Sequence, residues 1–526
     1  MYKILVSDKL SEKGLNILKE NKEFKVDVKT GLKPEELKSI IAGYDALLVR
    51  SSTKVTKEII DASSLKVIGR AGVGLDNVDL EAATNKGIIV MNSPSGNTIS
   101  TAEHTMSLML SMSRNIAVAD KSMKSGEWNR SKFTGVELYN KTLGIVGLGR
   151  IGQAVAKRAM SFGMKVIAYD PFISKEAAEK LGIELVELNK LFSDSDYITF
   201  HIPLTEETKD LISAKQIPLL KKGVRIINCA RGGIVNEEDL AKAVEEGKIS
   251  GVALDVYVKE PPKDLALAKF DNVVLTPHLG ASTEEAQVNV AVEIVEQVRD
   301  ALLGLEIRNA ANFPSVDTQT YKTLQPMFNL AEKMGQLMGQ LAEGRINGVD
   351  VIYSGEISKF DTTALTMSVM KGLLTPVLKD TVNFINAISL AKERSIKVRE
   401  EKSSESEDFT SLIILKVKTE KDKYLVAGTL LTKKDPRIVK INGFYVEAIP
   451  QGNMLIIYNL DKAGIIGNLG TLLGKYNINI AGMTFGRLNK GGEAITVLNI
   501  DSAPSKELLD KIKKLKYIEE VRAIKL

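Results

Sequence analysis

Short apolar runs rich in β-branched residues recur along the first half of the chain, each followed by a stretch with apolar positions at helical spacing. From Tyr2 to about Asn97 the runs are YKILVS, ALLVRS, KVIGRAG and GIIVMNSP, and helix-like stretches between them include 33–41 and 78–86. That alternation predicts a parallel sheet. From about Thr98 to Thr283 it restarts, with strands predicted at 142–146, 165–169, 196–201, 223–229, 251–256 and 272–275. A second, longer α/β unit follows. The stretch 284–303 reads as one amphipathic helix ending at Gly304, and IRNAANFPSVD behind it reads as a linker.

Beyond the linker the pattern changes character. Helices are predicted at 325–343 and 362–391, strands at 412–417 and 424–431, and an exposed polar loop at 400–407, which together make an α+β domain over 309–450. From Met454 to Leu526 the order is strand, helix, strand, strand, helix, strand, a ferredoxin-like unit.

Bulk numbers narrow the function. A chain of 526 residues exceeds a single core, so roughly three or four domains are expected. Its 44% hydrophobic and 26% charged content suits a soluble globular protein. The net charge of +5 is spread along the chain with no basic block, which argues against nucleic acid as a partner. Cys229 is the single cysteine, so an internal disulfide is impossible. No apolar run reaches the ~18 residues a membrane span needs, and the N-terminus lacks a signal-peptide core. A cytoplasmic protein without a metal site is expected.

The stretch KTLGIVGLGRIGQAVAKRAMSFGMKVIAYDP carries a dinucleotide signal. Gly147 permits a tight turn, Gly149 lets the backbone approach a pyrophosphate, and Gly152 lets helix pack on strand. The helix start then offers unpaired N–H groups to the phosphates. Asp170, closing the second strand, suits the ribose hydroxyls and repels a 2′-phosphate. NAD is therefore favoured over NADP.

Three predicted strands end in one conspicuous polar group each: Arg231 in NCARGG, Glu260 in ALDVYVKEPP and His278 in LTPHLGAST. Taken singly they could be a surface cation, a loop acid and a turn residue. In a parallel α/β sheet such ends converge on one crevice. Removing hydride from an alcohol carbon requires a base for the hydroxyl proton, and His278 fits. Glu260 suits the other ring nitrogen, fixing the tautomer and stabilising the imidazolium. Arg231 offers a planar fork for an α-carboxylate. Of the other two histidines, His104 reads as a helix residue at an interdomain or oligomer face, and His201 as a ring packed near the cofactor crevice. Cys229 reads as a small buried group.

The segments GLGRIGQAVAKRAMSFGMKVIAYDP, NCARGGIVNEEDL, ALDVYVKEPP and TPHLGASTEEAQ together resemble the D-2-hydroxyacid dehydrogenases, in a long form with an intervening domain and a terminal ACT domain. The resemblance implies an α/β fold with two doubly wound parallel sheets, a Rossmann-type NAD domain (98–283) inserted in a flavodoxin-like substrate domain (1–97 and 284–308). The α+β intervening domain (309–450) and the ferredoxin-like ACT regulatory domain (454–526) follow. It implies substrate-binding, supporting and acid/base roles for Arg231, Glu260 and His278. Cofactor contacts are implied at Gly147, Gly149, Arg150, Ile151, Gly152, Asp170, Ile202, Cys229, Ala230, Arg231, Asp255, His278, Gly280 and Ala281. Arg50, Arg70 and Asn97 match substrate-facing positions, and Trp128 and Arg130 match a segment that reaches a neighbouring subunit. The activity implied is NAD-dependent oxidation of 3-phospho-D-glycerate in a homo-oligomer, a dimer or tetramer.

In the C-terminal unit, Asn459, Asp461 and Asn479 match positions that hold L-serine as effector. Ala463 departs from the proline usual there, which leaves that loop less rigid. Two other readings stay open: a dehydrogenase for another small 2-hydroxy acid, and a non-enzymatic NAD-sensing protein on the same scaffold.

Overall fold

The computed structural model describes residues 1–314, 318–405 and 408–526. The first sheet contains β1 (Tyr2–Val6), β2 (Phe24–Val28), β3 (Ala46–Val49), β4 (Val67–Arg70) and β5 (Ile89–Asn92), all parallel in the order β2-β1-β3-β4-β5. Ala46 to Val49 are all buried because helices cover both faces, and this is why the run shows no alternation. Helix Glu284–Leu302 returns to this sheet after the chain has left it. Thr283 caps it by accepting the Ala286 amide at 3.1 Å, and Val290, Ile294, Val295 and Val298 pack with Ile4, Leu48 and Val67. Each such side chain contributes about 1.5–3 kcal/mol when fully buried. Gly69 makes the approach possible, since a Cβ there would stand 2.7 Å from Val298 Cγ2.

The second sheet contains β6 (Thr142–Val146), β7 (Lys165–Tyr169), β8 (Glu184–Leu185), β9 (Tyr197–Phe200), β10 (Val224–Asn228), β11 (Ile249–Leu254) and β12 (Val273–Leu275). All are parallel, in the order β12-β11-β10-β9-β6-β7-β8. The order reverses between β6 and β9, opening a crevice at the strands' carboxyl ends. Only the two-residue β8 goes unpredicted by the sequence pattern. Helix Thr98–Ser113 buries Ala102, Met106 and Met109 against Leu143, Ile145 and Ala253 of this sheet.

The third sheet departs most from expectation. It has β13 (Ile346–Gly355), β14 (Lys397–Ser403), β15 (Ser411–Thr419), β16 (Lys423–Leu430), β17 (Pro436–Ile441) and β18 (Phe444–Ala448), ordered β14-β13-β15-β16-β17-β18. The loop expected at 400–407 is in its first part β14, an edge strand running parallel to β13; residues 406–407 lie outside the described ones. Exposed Lys397, Arg399, Glu400 and Glu401 make that edge polar on both sides, which hides its period. The single helix expected at 362–391 is two, Thr363–Leu378 and Ala387–Glu393, with a 3₁₀ turn at Lys379–Thr381. Pro376 starts the break by removing a donor from the helix. The expected linker is fastened as far as Asn312, whose side chain accepts from Val90 N and donates to Ile88 O. Its residues 315–317 lie outside the described ones.

The fourth sheet contains β19 (Asn453–Leu460), β20 (Ile480–Arg487), β21 (Glu493–Ile500) and β22 (Ile518–Lys525), antiparallel in the order β20-β21-β19-β22. Its two faces serve different cores. Leu455, Ile457, Leu498 and Val521 pack under helices Ile465–Lys475 and Lys506–Lys513. Met454, Ile456, Ile495, Val497 and Ile524 point the other way, into one continuous core with Met334, Leu337, Ile441, Phe444 and Val446 of the preceding unit. The last two sheets therefore pack on each other through a shared core, and Arg522 adds an ion pair to Glu343 across the seam. Among the described residues no helix is long and apolar enough to cross a membrane, and no acid, histidine and cysteine cluster could hold a metal ion.

Candidate active site

β10 delivers Arg231. Asn228, buried at its end, accepts from Ala230 N at 3.0 Å and donates to Arg231 O at 2.8 Å, closing the turn with one side chain. Gly232 lets this turn press against the next strand's loop, since a Cβ there would lie 1.9 Å from Tyr257 O. Arg231 then reaches out: its Nη1 donates to Ala230 O at 2.7 Å and its Nε to Asp76 Oδ2 at 3.1 Å. Asp76 lies in the loop after β4, so this contact spans the cleft between the first two sheets.

The loops after β11 and β12 deliver the other two groups. His278 Nδ1 lies 2.8 Å from Glu260 Oε2, and Glu260 Oε1 accepts from Tyr257 N at 3.2 Å. An ionised carboxylate can only accept, so Nδ1 carries the proton and donates. Nε2 is left as the acceptor, the state a base needs before it takes a hydroxyl proton. His278 itself sits at φ 56°, in the left-handed region that costs a non-glycine residue about 1–2 kcal/mol.

Asp255 holds that strained loop. It is fully buried, and its Oδ1 accepts from Thr276 Oγ1 (2.6 Å) and Leu279 N (2.7 Å), its Oδ2 from Gly280 N (2.8 Å). His104 Nε2 stands 3.1 Å from Oδ1, and since Oδ1 accepts, it too donates. Burial pushes the Asp255 carboxyl up, but the donors from His104, Thr276 and Leu279 outweigh it and hold it below the usual carboxylate range. His104 is tied to the second sheet by its contact with Asp255, behind the loop that carries His278. The Asp255 carboxylate braces that same loop through the Leu279 and Gly280 amides.

Arg50 and Arg70, at the ends of β3 and β4, face the same cleft. Arg70 is drawn down to about 10, chiefly by burial and then by Arg231, with Asp76 and Asp8 opposing and Arg50 adding to the shift. Its Nε is buried without a hydrogen-bond partner, as is Asn97 Oδ1. A polar ligand in the cleft would give both atoms a partner. Arg130 and Trp128 are not brought to this cleft within the chain: both are exposed, Trp128 by 74%.

The glycine turn fits a dinucleotide. A Cβ on Gly152 would strike Gly147 O at 2.1 Å, and one on Gly147, at φ 93°, would strike His201 O at 2.6 Å, while one on Gly149 would meet nothing within 4 Å. Close packing therefore excludes side chains at the first two positions, and open space in front of the third admits a phosphate. Gly149 also begins helix Arg150–Ser161. Asp170 accepts from Leu148 N at 2.7 Å and Phe172 N at 2.8 Å, so it braces the turn besides terminating β7. Ile202 lies against Gly147, and Cys229 and Ala230 line the neighbouring strand end. Gly280 and Ala281 continue the His278 loop, Gly280 O accepting from Ser100 and Thr101 hydroxyls. Burial drives the His201 ring down to about 3 and the Cys229 thiol up to about 12, so the first is neutral and the second is no nucleophile.

Three family models match consecutive parts of the chain: the NAD binding domain of D-isomer specific 2-hydroxyacid dehydrogenases over 106–280, the D-3-phosphoglycerate dehydrogenase intervening domain over 323–442, and the ACT domain over 453–517. D-3-phosphoglycerate dehydrogenases of a Synechocystis species and of Methanocaldococcus jannaschii are each 47% identical over 100% of this chain, covering 95% and 100% of those proteins. The chain belongs to the D-3-phosphoglycerate dehydrogenase family. It is an NAD-dependent enzyme in which the NAD-binding domain of the family is intact. A solved D-lactate dehydrogenase of Aquifex aeolicus, complexed with NAD and lactic acid, superposes with a TM-score of 0.54 at 29% identity. It covers 60% of this chain and 100% of that one.

The ACT segment distributes its three candidate effector residues unevenly. Asn459 is fully buried, its Oδ1 accepting from Thr496 Oγ1 at 3.0 Å and its Nδ2 donating to Leu460 O. Asp461 accepts from Arg487 Nη1 at 2.9 Å and Gly491 N at 3.0 Å, and Asn479 donates to Asp501 at 2.9 Å on an exposed turn. Asp76 and Thr276 are the neighbours of the site that sequence reasoning missed, and His104 it read only as a helix residue. Asp76 obeys the same strand-end rule that picked out Arg231, and that signal could have found it.

Proposed function

We propose that the chain oxidises 3-phospho-D-glycerate to 3-phosphohydroxypyruvate with NAD, the first step of L-serine biosynthesis. The observation that carries the substrate class is the gathering of Arg50, Arg70 and Arg231 around one cleft. A lone carboxylate is satisfied by one guanidinium fork; a second anionic group gives the other two a partner. NAD, when bound at the Gly147 to Gly152 turn, supplies the acceptor for the hydride leaving C2. His278 Nε2 takes the hydroxyl proton, Glu260 stabilises the imidazolium through Nδ1, and Arg231 holds the α-carboxylate and polarises the neighbouring oxygen. Asn97, at the crossing between the first two sheets, offers its side-chain amide to the substrate.

Serine feedback through Asn459, Asp461 and Asn479, a homo-oligomeric assembly that brings Arg130 into a neighbour's cleft, and a cytoplasmic location complete the reading. The deciding assay follows NADH consumption with 3-phosphohydroxypyruvate, pyruvate and glyoxylate, with and without serine. The expected kcat/KM is greater for the phosphorylated acid by roughly two decades, the scale of two charge-assisted contacts. Equal turnover of glyoxylate would make it a general 2-oxo acid reductase, and no turnover at all would leave an NAD-sensing protein.

A further inference from the structure

Asp76 has no role in the mechanism above, yet it makes the one described ion pair across the catalytic cleft. Its loop is shaped for that contact: a Cβ on Gly74 would lie 2.0 Å from Arg231 Nη2 and 2.7 Å from Asp76 Oδ2. Three guanidinium groups share the cleft, and their mutual repulsion opposes its narrowing. Asp8 is poorly placed to offset them, because its buried carboxylate already accepts from the amides of Arg50 and Thr53 and from the Thr53 hydroxyl. Asp76 is different. Its side chain is 71% exposed, and among the described residues Arg231 is its only hydrogen-bond partner.

The edge it occupies matters. Arg231 Nη1 is engaged with Ala230 O, which leaves Nε and Nη2 as the freer parallel pair for side-on binding of a carboxylate. Asp76 Oδ2 sits on Nε. We propose that the Asp76 carboxylate is a displaceable stand-in for the substrate's own carboxylate, holding the Nε edge of Arg231 in the free enzyme and yielding it to the incoming acid. An exposed pair is weak enough to exchange. The exchange also sharpens selection: an acid that carries a phosphate gains Arg50 and Arg70 while displacing Asp76, whereas a monoanion only trades one carboxylate for another. The inference rests on the proposed reaction for its substrate, though not for its chemistry.

The test uses the full-length enzyme saturated with NADH, and oxalate, a planar dianion, as probe. Asp76→Asn and Asp76→Ala should each bind oxalate roughly two- to fivefold more tightly by calorimetry, the range an exposed ion pair is worth. KM for glyoxylate should fall at least as far as KM for 3-phosphohydroxypyruvate, so that the preference between them narrows. Weaker oxalate binding with raised KM in both variants would show Asp76 to be a fixed orienting partner of Arg231, and unchanged binding would show it to be a bystander; either overturns the proposal. NADH titration of each variant reports an intact fold. Oxalate reads Arg231 whatever the natural substrate is, so failure here leaves the proposed reaction to the oxo-acid panel.

Discussion

Replacing Asp255 with asparagine isolates the network beneath the catalytic loop. The carboxylate takes four donors, from Thr276, Leu279, His104 and Gly280, in a fully buried site. An amide presents one acceptor oxygen and one NH₂. If the oxygen keeps the Oδ1 place, the NH₂ faces the Gly280 amide, so a charge-assisted bond is lost and a buried N–H is left unpaired. Those losses come to roughly 2–4 kcal/mol. His278 already strains its backbone, and the loop that over-determines it would loosen by that amount. Hydrogen exchange reads the effect directly: the Leu279 and Gly280 amides should lose about one and a half to three decades of protection, with β10 and β11 unchanged. kcat should fall well beyond any change in the affinity for NADH. Full protection at both amides in Asp255→Asn, together with an unaltered kcat, would refute the idea that this carboxylate positions His278.

Asp170→Ala should raise kcat/KM with NADP by about tenfold through loss of repulsion at the 2′-phosphate, and should also raise KM for NAD, because the Leu148 amide loses its acceptor; parallel kinetics with both cofactors check it. His201, driven to about 3 by burial, is depressed below its unfolded value of about 6.5. Its contribution to stability is therefore complete above pH ~6.5 and is lost as pH falls from there towards 3, with a slope of at most about 1.4 kcal/mol per pH unit. Denaturant midpoints measured over that window should flatten in His201→Asn. Cys229, pushed up to about 12, should resist iodoacetamide at pH 8 in the native protein and react freely in urea. A chain cut after Gly452 should bind a hydrophobic dye and aggregate, since it uncovers Phe444, Val446 and Met334, whereas a chain cut after Pro314 should stay monodisperse; light scattering separates them.

The first two sheets were legible except at their edge strands β2 and β8, because the inner strands are apolar runs buried on both faces and bounded by turn signals, whereas β2 reads FKVDV and β8 has two residues. The candidate site could be read for the same reason, as Arg231, Glu260 and His278 all follow strand ends. The third sheet was not. β14 is an edge strand with charges on both sides, and β17 and β18 have part of their apolar surface covered only by residues far along the chain. The shared core of the last two sheets was also hidden, because alternation in β19 reads equally well with its second face in water. His104 reads as an ordinary helix residue because its partner Asp255 lies far ahead in the chain.

The chain passes between the first two sheets twice, just before helix Thr98–Ser113 and again on the way to helix Glu284–Leu302. The crossings are stitched together: Ser100 and Thr101 both donate to Gly280 O, and Gly96 is pressed against Val290 so closely that a Cβ would lie 2.6 Å from its Cγ1. Two strands of backbone pinned side by side act like a pair of door pins on a common axis, permitting a swing and resisting twist or slide. Asn97 and His278 flank that axis, where a given rotation displaces atoms least, while Arg50 and Asp76 ride on the moving leaf. The proton-transfer pair can thus keep its register, with Arg231 beside it, through any such swing, and it is Arg50 and Arg70 whose distance from it changes.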